Sequence, residues 1–323
     1  MNVKIRCVAL FIAGTLLILI GMFAGPANVS IQEVLNALSR SGDAALSTII
    51  WDMRIPRVLV SMLTGACLGL AGVLIQLSTR SPLGDPNLFG IGGGAAIFLA
   101  AVAAGVVAMA NFGVFAGSVL SSLLVAAFLS FLISKENIGP IKIAIIGLAV
   151  GALTISIGTS VISHGRVFPT QIIGLVAGSF TSSNWVTVYY LSSTLALCMV
   201  GSVIIAKRFY PIILGDVLSK SLGVSPIKTR SLSMGMAAAL SGASVYAGGV
   251  IGFVGLLSPH LARWIFGNSP RNLIIGSVWI GALATMLADQ LARLLFAPVE
   301  LPVGMVTTLM GAPMMIYLAL KIK

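Results

Sequence analysis

The feature that most constrains this chain is the length of its uncharged segments. Residues 86–134 contain no Asp, Glu, Lys or Arg, and the whole chain is 58% hydrophobic and only 8% charged. A soluble globular domain carries about 25% charged residues. Because backbone polar groups in lipid must be satisfied within the chain, apolar runs of this length predict an all-α integral membrane protein that crosses the bilayer several times.

A membrane-spanning helix needs about 20 apolar residues, and the sequence divides into ten such segments. The predicted spans are 7–25, 57–78, 88–109, 112–134, 141–163, 186–206, 229–249, 250–267, 272–296 and 302–320. The first is interpreted as a retained span, since it is long for a signal peptide and no A-x-A site follows it. The sequence offers no soluble domain and no GxxxxGK[ST] motif, so residues 1–323 are predicted to form one transmembrane domain.

The distribution of Lys and Arg predicts the orientation of the chain. With the N-terminus inside, 14 of the 19 basic residues fall in inner loops and 5 in outer loops. This asymmetry places both termini in the cytoplasm and favours an even number of spans. The outer segment 26–52 contains an amphipathic helical pattern, and 164–184 is predicted to fold back on the outer side as a short helix. Segment 207–230 is the longest cytoplasmic connection.

Three arginines lie at the predicted outer face, against the usual charge bias. Arg54 and Arg57 lie at the outer end of the second span, and Arg293 lies near the outer end of the ninth. Each could reach headgroups, and Arg293 could pair with Asp289 four residues earlier. Three guanidinium groups at one face would also suit the carboxylates of a soluble partner, because the forked donors of arginine bind carboxylates bidentately.

The cytoplasmic segment contains two short predicted helical pieces with glycine stops. The residues of interest are Leu214, Gly215, Asp216, Leu218, Leu222 and Gly223. Apolar side chains in a cytoplasmic loop have no bilayer to enter, so they indicate either a protein partner or packing of the loop on its own bundle.

The fifth predicted span carries a stripe of small residues on one face. Gly147, Gly151, Thr154 and Gly158 follow helical spacing, with hydroxyl side chains beside them. Such a stripe is typical of a helix–helix contact, and it could also border a pore. Cys7, Cys67 and Cys198 lie in separate apolar segments without a metal-binding spacing, and they are interpreted as small buried hydrophobic residues.

The eighth segment ends in three residues that are costly in a bilayer: Pro259, His260 and Arg263. Singly, they could be a kink, an interfacial residue and an inward-facing anchor. Together they belong to a set of motifs that resembles the iron-chelate and cobalamin permease family, the membrane subunits of type II ABC importers. The motifs are RIPRVLVSMLTGACLGLAGVLIQ (54–76), SPLGDPNLFGIGGGAA (81–96), LGDVLSKSLGV (214–224), GFVGLLSPHLARWIFG (252–267), ADQLAR (288–293) and ELPVGMVTTLMGAP (300–313). The sequence departs mildly from the family's pattern at Ser81, Gly84 and Trp264.

The resemblance implies ten spans per subunit and a second permease subunit, identical or paralogous. It also implies two ATP-binding cassette subunits and a periplasmic or lipid-anchored binding protein. Arg54, Arg57 and Arg293 match the arginines that receive acidic residues of the binding protein, and residues 214–224 match the helices that couple to the ATPase. The fifth and tenth spans are expected to border the translocation path. Pro259, His260 and Arg263 are expected at the cytoplasmic end, close to the ATPase.

The function implied is import of a ferric-siderophore-type chelate across a bacterial or archaeal cytoplasmic membrane. Haem, cobalamin and molybdate are alternative cargoes of the same importer type. The chain is expected to be a transport subunit and not an enzyme, with no metal site, no cofactor and no nucleic-acid partner; ATP and Mg bind to the separate ATPase. An ion-coupled secondary transporter would need a mid-membrane carboxylate or histidine, for which Asp289 is the only candidate. Two histidines without an HExxH motif disfavour an intramembrane metalloenzyme.

Overall fold

The structure, a computed structural model, describes residues 3–23, 31–39, 43–134, 140–164, 174–297 and 299–321. The longer helices are α1 (Val3–Phe23), α4 (Ile55–Thr79), α5 (Ile91–Ala103), α6 (Asn111–Ser134), α7 (Pro140–His164), α8 (Trp185–Ile205), α11 (Pro226–Gly248), α12 (Val254–Phe266), α13 (Pro270–Leu294) and α14 (Val303–Lys321). The shorter ones are α2 (Ile31–Leu38), α3 (Ala44–Thr48), α9 (Phe209–Leu214) and α10 (Asp216–Ser221). A π-helical segment, Ile49–Arg54, leads into α4, and a 3-10 turn, Ala206–Arg208, leads into α9.

Each predicted span overlaps one of the longer helices. Within the described residues, five helical stretches are long and apolar enough to cross a membrane: Ala44–Thr79, Asn111–Ile133, Lys142–Val161, Trp185–Leu214 and Pro270–Leu294. Shorter apolar helices cover Val8–Phe23, Ile91–Ala103 and Val303–Tyr317. The all-α membrane fold is therefore confirmed, while the count of ten crossings stays a prediction.

Helix α4 is the centre of the bundle. Every residue from 64 to 79 is buried, and α4 packs against α13, α11, α12 and α8. Glycines allow these close approaches: a side chain at Gly65 would overlap the backbone of Gly281 in α13, and one at Gly72 would overlap the backbone of Gly255 in α12. Packing through small residues replaces the hydrophobic driving force that is missing between helices in lipid.

Helices α5 and α12 are shorter than the predicted spans 88–109 and 250–267. Each has 13 residues, about 20 Å of helix, against a hydrocarbon layer of about 30 Å. Helix α5 begins after Gly90, whose φ is +72°, and α12 begins after Phe253, whose φ is +67°. The turns at these left-handed residues set where both helices begin, and a third left-handed residue, Gly105 (φ +74°), follows the early end of α5.

The two short helices begin inside the bundle. Gly90 packs against Gly151, near the middle of α7, and Gly255 packs against Gly72, seven residues before the end of α4. The non-helical backbone before each helix is joined by a bond from the Asn87 amide to the Ile251 carbonyl (2.7 Å). Irregular backbone at this depth is compatible with a membrane because it is enclosed by protein.

The predicted amphipathic helix in segment 26–52 is present as α2. Val34, Ala37 and Ile50 form a small core beneath it, and the Trp51 indole donates to the Ala37 carbonyl (3.3 Å). Residues 26–30 and 40–42 lie outside the described residues. So do 165–173 of the predicted outer segment 164–184, of which a helical turn at 174–177 is described. Cys67 and Cys198 are buried free thiols as predicted, and the side chain of Cys7 is not described.

Candidate functional site

One end of α4 carries a cluster of ionic side chains formed by Arg57, Asp289 and Glu300, here called the Arg57 cluster. The Arg57 Nη2 lies 2.9 Å from Asp289 Oδ1 and 2.9 Å from Glu300 Oε2. Nε also donates to Asp289 Oδ1 (3.2 Å), and Nη1 to Glu300 Oε1 (3.0 Å). The cluster therefore ties α4 to α13 and to the connection that precedes α14.

The other two arginines assigned to partner docking lie at the same end of the bundle. Arg54 is 6% exposed and donates to the Met22 carbonyl of α1 (3.0 Å). Arg293 is 4% exposed, and the charges of Arg57, Asp289 and Glu300 act on it. The sequence predicted an outward-facing cluster. The structure brings the three arginines together but buries Arg54 and Arg293 and leaves Arg57 only slightly exposed, because α1, α4 and α13 meet there. Their docking role stays a prediction.

The opposite end of α4 carries the reverse arrangement, formed by Asp216, Arg80 and Arg230 and here called the Asp216 cluster. Asp216 Oδ1 accepts from Arg230 Nη2 (2.8 Å) and from Arg80 Nη2 (3.1 Å). Arg230 Nε also donates to the Ser78 carbonyl in the last turn of α4 (3.0 Å). This cluster links the start of α10 to α4 and α11.

The segment predicted to couple to an ATPase forms two helices, α9 and α10, on either side of Gly215. Gly215 and Gly223 have positive φ angles of +119° and +78°, which explains the glycine at each stop. Phe209 and Ile212 pack into the bundle, whereas Val217 is 86% exposed. Leu214, Leu218 and Leu222 are exposed as well. One part of the segment therefore packs on its own bundle, and another presents an apolar surface that none of the described residues covers.

The small-residue stripe of α7 faces α5 and the loop before it. Gly147 packs against Phe89, Gly151 against Leu88, Thr154 against Gly93, and Gly158 lies near Ile97. These are the contacts of a helix–helix interface, the first interpretation that the sequence allowed. Thr154 and Gly158 also line a cavity of about 140 Å³ with Asn87 and Val250, and the neighbouring Ser156 and Thr159 are exposed. A place for the stripe in a translocation path stays a prediction.

Pro259, His260 and Arg263 lie within α12, whose C-terminal end reaches the same face as α9. His260 contacts Trp264 edge to face (ring centroids 5.2 Å apart), and Arg263 is half-buried. The Arg6 guanidinium donates to the last-turn carbonyls of Trp264 (3.0 Å) and Ile265 (3.1 Å), where a cation stabilises the helix end. In the next connection, Ser269 and Tyr210 of α9 share a hydrogen bond (2.9 Å). This motif is thus close to the coupling segment, and its role there stays a prediction.

Two acidic residues that the sequence analysis left without a role have structural partners. Asp85 is fully buried, and its Oδ1 accepts from the backbone N–H groups of Asn87 (2.9 Å) and Leu88 (3.1 Å). Its Oδ2 lies next to Gly255 in the first turn of α12, so Asp85 brings the loop before α5 against the start of α12. The second is Glu300, which accepts two hydrogen bonds from Arg57. Both are isolated acidic residues beside uncharged segments, and an isolated carboxylate in such a place indicates that hydrogen-bond donors lie nearby.

Comparisons with known proteins agree with this geometry. The family described as the FecCD transport family matches residues 12–321. The iron(3+)-hydroxamate import system permease protein FhuG of Bacillus subtilis (strain 168) is 28% identical over 99% of this chain and 99% of that protein. The ferric enterobactin transport system permease protein FepG of Escherichia coli (strain K12) is 30% identical over 98% of this chain and 96% of that protein.

A solved structure supports the same assignment at the level of the fold. It is described as an inward-facing conformation of a metal-chelate type ABC transporter, and it is 26% identical to this chain with a TM-score of 0.83. The similarity covers 97% of this chain and 98% of that one. The chain therefore belongs to the FecCD transport family, as a multi-pass membrane permease subunit of the ABC-importer type.

Proposed function

We propose that this chain is the permease subunit of an ATP-driven importer that moves a ferric chelate of the siderophore type into the cytoplasm. The observation that carries the proposal is the arrangement along α4. One buried helix joins the Arg57 cluster at one end to the Asp216 cluster and the exposed apolar helix α10 at the other. An importer needs this connection, because arrival of cargo on one face must be linked to hydrolysis of ATP on the other.

In this proposal the Arg57 end faces outward and receives a binding protein. Arg54, Arg57 and Arg293 set the docking register through charge, and both termini lie in the cytoplasm. The exposed Leu214, Val217, Leu218 and Leu222 insert into the ATPase subunit. These large apolar side chains form a patch on the face that also carries Arg80 and Arg230, and exposed apolar patches of this kind mark contacts with a protein partner.

The cargo assignment is supported by the surface of α7 and by the relatives. The exposed positions beside the small-residue stripe are hydroxyls and aliphatic side chains, including Ser156, Thr159 and Leu153. Such a surface offers no fixed ligand to a metal ion, which suits cargo that is already chelated. The relatives named above are iron-hydroxamate and ferric-enterobactin permeases, and a second permease subunit would complete the path.

A secondary carrier driven by an ion gradient finds little support in the same contacts. The buried carboxylates of Asp289 and Asp85 are each held by donors, the first by Arg57 and the second by backbone N–H groups. A proton relay would need a carboxylate that can exchange with a water-filled cavity.

The proposal is tested by uptake of a ferric hydroxamate into vesicles that contain the permease, its ATPase and its binding protein. Uptake should require ATP and persist when an uncoupler collapses the proton gradient; loss of uptake with the uncoupler alone would favour the secondary carrier.

In the same system Leu218→Asp should release the ATPase, because a charge cannot enter an apolar contact. Lys220→Gln on the same helix is the matched control and should purify as a whole complex. If the Leu218→Asp complex also purifies whole, the coupling assignment is wrong.

A further inference from the structure

The guanidinium of Arg57 is already engaged by this chain's own acids. Of its five N–H donors, the one on Nε, both on Nη2 and one on Nη1 are used in bonds to Asp289 and Glu300. A carboxylate from a binding protein can therefore bind Arg57 bidentately only if one of these two acids leaves.

The two acids differ in how easily they can leave. Asp289 lies within α13 and is 0% exposed, so its displacement would disrupt the packing of α13 on α4. The Glu300 side chain is 29% exposed and belongs to the non-helical connection between α13 and α14. Rotation of the Glu300 side chain into water breaks no helical hydrogen bond and leaves its carboxylate solvated. Glu300 is thus the displaceable ligand of Arg57, and Asp289 the permanent one.

We propose that Glu300 is an internal competitor for docking: it occupies Arg57 in the undocked subunit, and a carboxylate of the binding protein takes its place. This inference rests on the proposed function. Its chemistry is an exchange of one carboxylate for another on the same donors, so Arg57 stays paired in both states. Because Arg57 is paired and largely shielded from water both before and after the exchange, the desolvation cost of its guanidinium is common to both states and does not oppose docking.

The competitor sets the affinity and the specificity of docking. A partner must supply a carboxylate at the position of Glu300, since an uncharged side chain would leave Arg57 less well satisfied than before. Glu300 also lowers the affinity for the correct partner, because part of the binding free energy is spent on displacing it. The affinity for the binding protein is therefore limited by a residue of the permease that docking moves aside.

The test is docking of the binding protein, loaded with a ferric hydroxamate, to the intact transporter in lipid nanodiscs. Glu300→Gln should tighten docking about two- to fivefold, since a partly exposed ion pair contributes on the order of 0.5–1 kcal/mol. Glu300→Asp keeps the charge but shortens the reach to Arg57, so it should give part of the gain. Asp52→Asn is the matched control, because Asp52 is an exposed acid close to the same end of α4. It should leave the affinity within about 1.5-fold, since screening at physiological salt weakens charges that make no direct contact.

Three results would overturn the inference. One is weaker docking of Glu300→Gln, which would make Glu300 a residue that positions Arg57 for the partner. Another is an equal gain from Asp52→Asn and Glu300→Gln, which would trace the effect to net charge. The third is an unchanged affinity in Glu300→Gln. If the unmodified transporter neither docks the binding protein nor takes up the chelate with ATP, the proposed function itself fails, and that result is distinct from docking without a gain.

Discussion

The two ends of α4 use the same chemistry with the charges reversed. In the Arg57 cluster one guanidinium is shared by two carboxylates, and in the Asp216 cluster one carboxylate is shared by two guanidinium groups. The exposures differ as well. Asp289 is fully buried, whereas the side chains of Asp216 and Arg80 are 26% and 27% exposed.

This difference in burial distinguishes an ion pair that stays closed from one that can open. A buried ion pair is costly to break, because the remaining charge has no water to solvate it. A partly exposed pair contributes little and can open and close. The Arg57–Asp289 pair therefore holds α4 and α13 together, while the partly exposed Arg80–Asp216 bond can open at small cost and let α10 shift relative to α4. In the proposed function the first arrangement suits a register for docking, and the second suits a helix that moves with an ATPase.

Among the substitutions at the two ends of α4, Arg57→Gln should have the largest effect on stability. This change leaves Asp289 buried without its cation, so we expect the free energy of unfolding to fall by about 3–5 kcal/mol. Thermal or denaturant unfolding in detergent micelles measures it. Arg271→Gln, at an exposed position of the same helix as Asp289, should change stability by less than about 0.5 kcal/mol. A loss below about 1 kcal/mol for Arg57→Gln would show that Asp289 is not held by this pair.

The two arginines of the Asp216 cluster should respond unequally. Arg230 is the less exposed and also donates to Ser78, so Arg230→Gln should cost about 2 kcal/mol of unfolding free energy. Arg80→Gln removes only the longer and more exposed bond, and should cost less than about 1 kcal/mol. The same unfolding measurement compares the two variants, each the other's control. Equal losses would mean that the bond to Ser78 contributes nothing.

The smallest expected effect is the response of the pairs to salt. A double-mutant cycle on Arg80 and Asp216 should give a coupling energy of about 0.5 kcal/mol in dilute buffer and close to zero at about 1 M salt, where the Debye length is roughly 3 Å. The cycle on Arg57 and Asp289 should keep most of its larger coupling energy, since buried pairs are screened much less. If salt lowers both coupling energies by the same fraction, the difference in burial between the two ends does not affect the strength of these ion pairs.

The charged residues that the sequence analysis singled out lie at the two ends of α4, but the side chains with which they form ion pairs could not be predicted from the sequence. The sequence left three interpretations of these arginines open: contact with headgroups, docking of a soluble partner, and a local pair of Arg293 with Asp289 four residues earlier on the same helix. In the structure Asp289 accepts from Arg57, which is 232 residues away. Asp216 likewise bonds Arg80 across 136 residues. Contacts at such separations depend on how the helices pack, which spacing along one helix does not reveal.

The amino-acid sequence was sufficient to predict the membrane class, the approximate position of each long helix and the family. It could do so because the lipid leaves a chain few alternatives: long uncharged runs must be helical, and basic residues gather in the loops of one side. Only the packing of the helices established that α5 and α12 begin inside the bundle and that Asp85 lies against the first turn of α12. It also decided that Glu300 occupies Arg57. These features depend on backbone approach and on which buried charge meets which donor, and both are settled only when α4, α12 and α13 pack against one another.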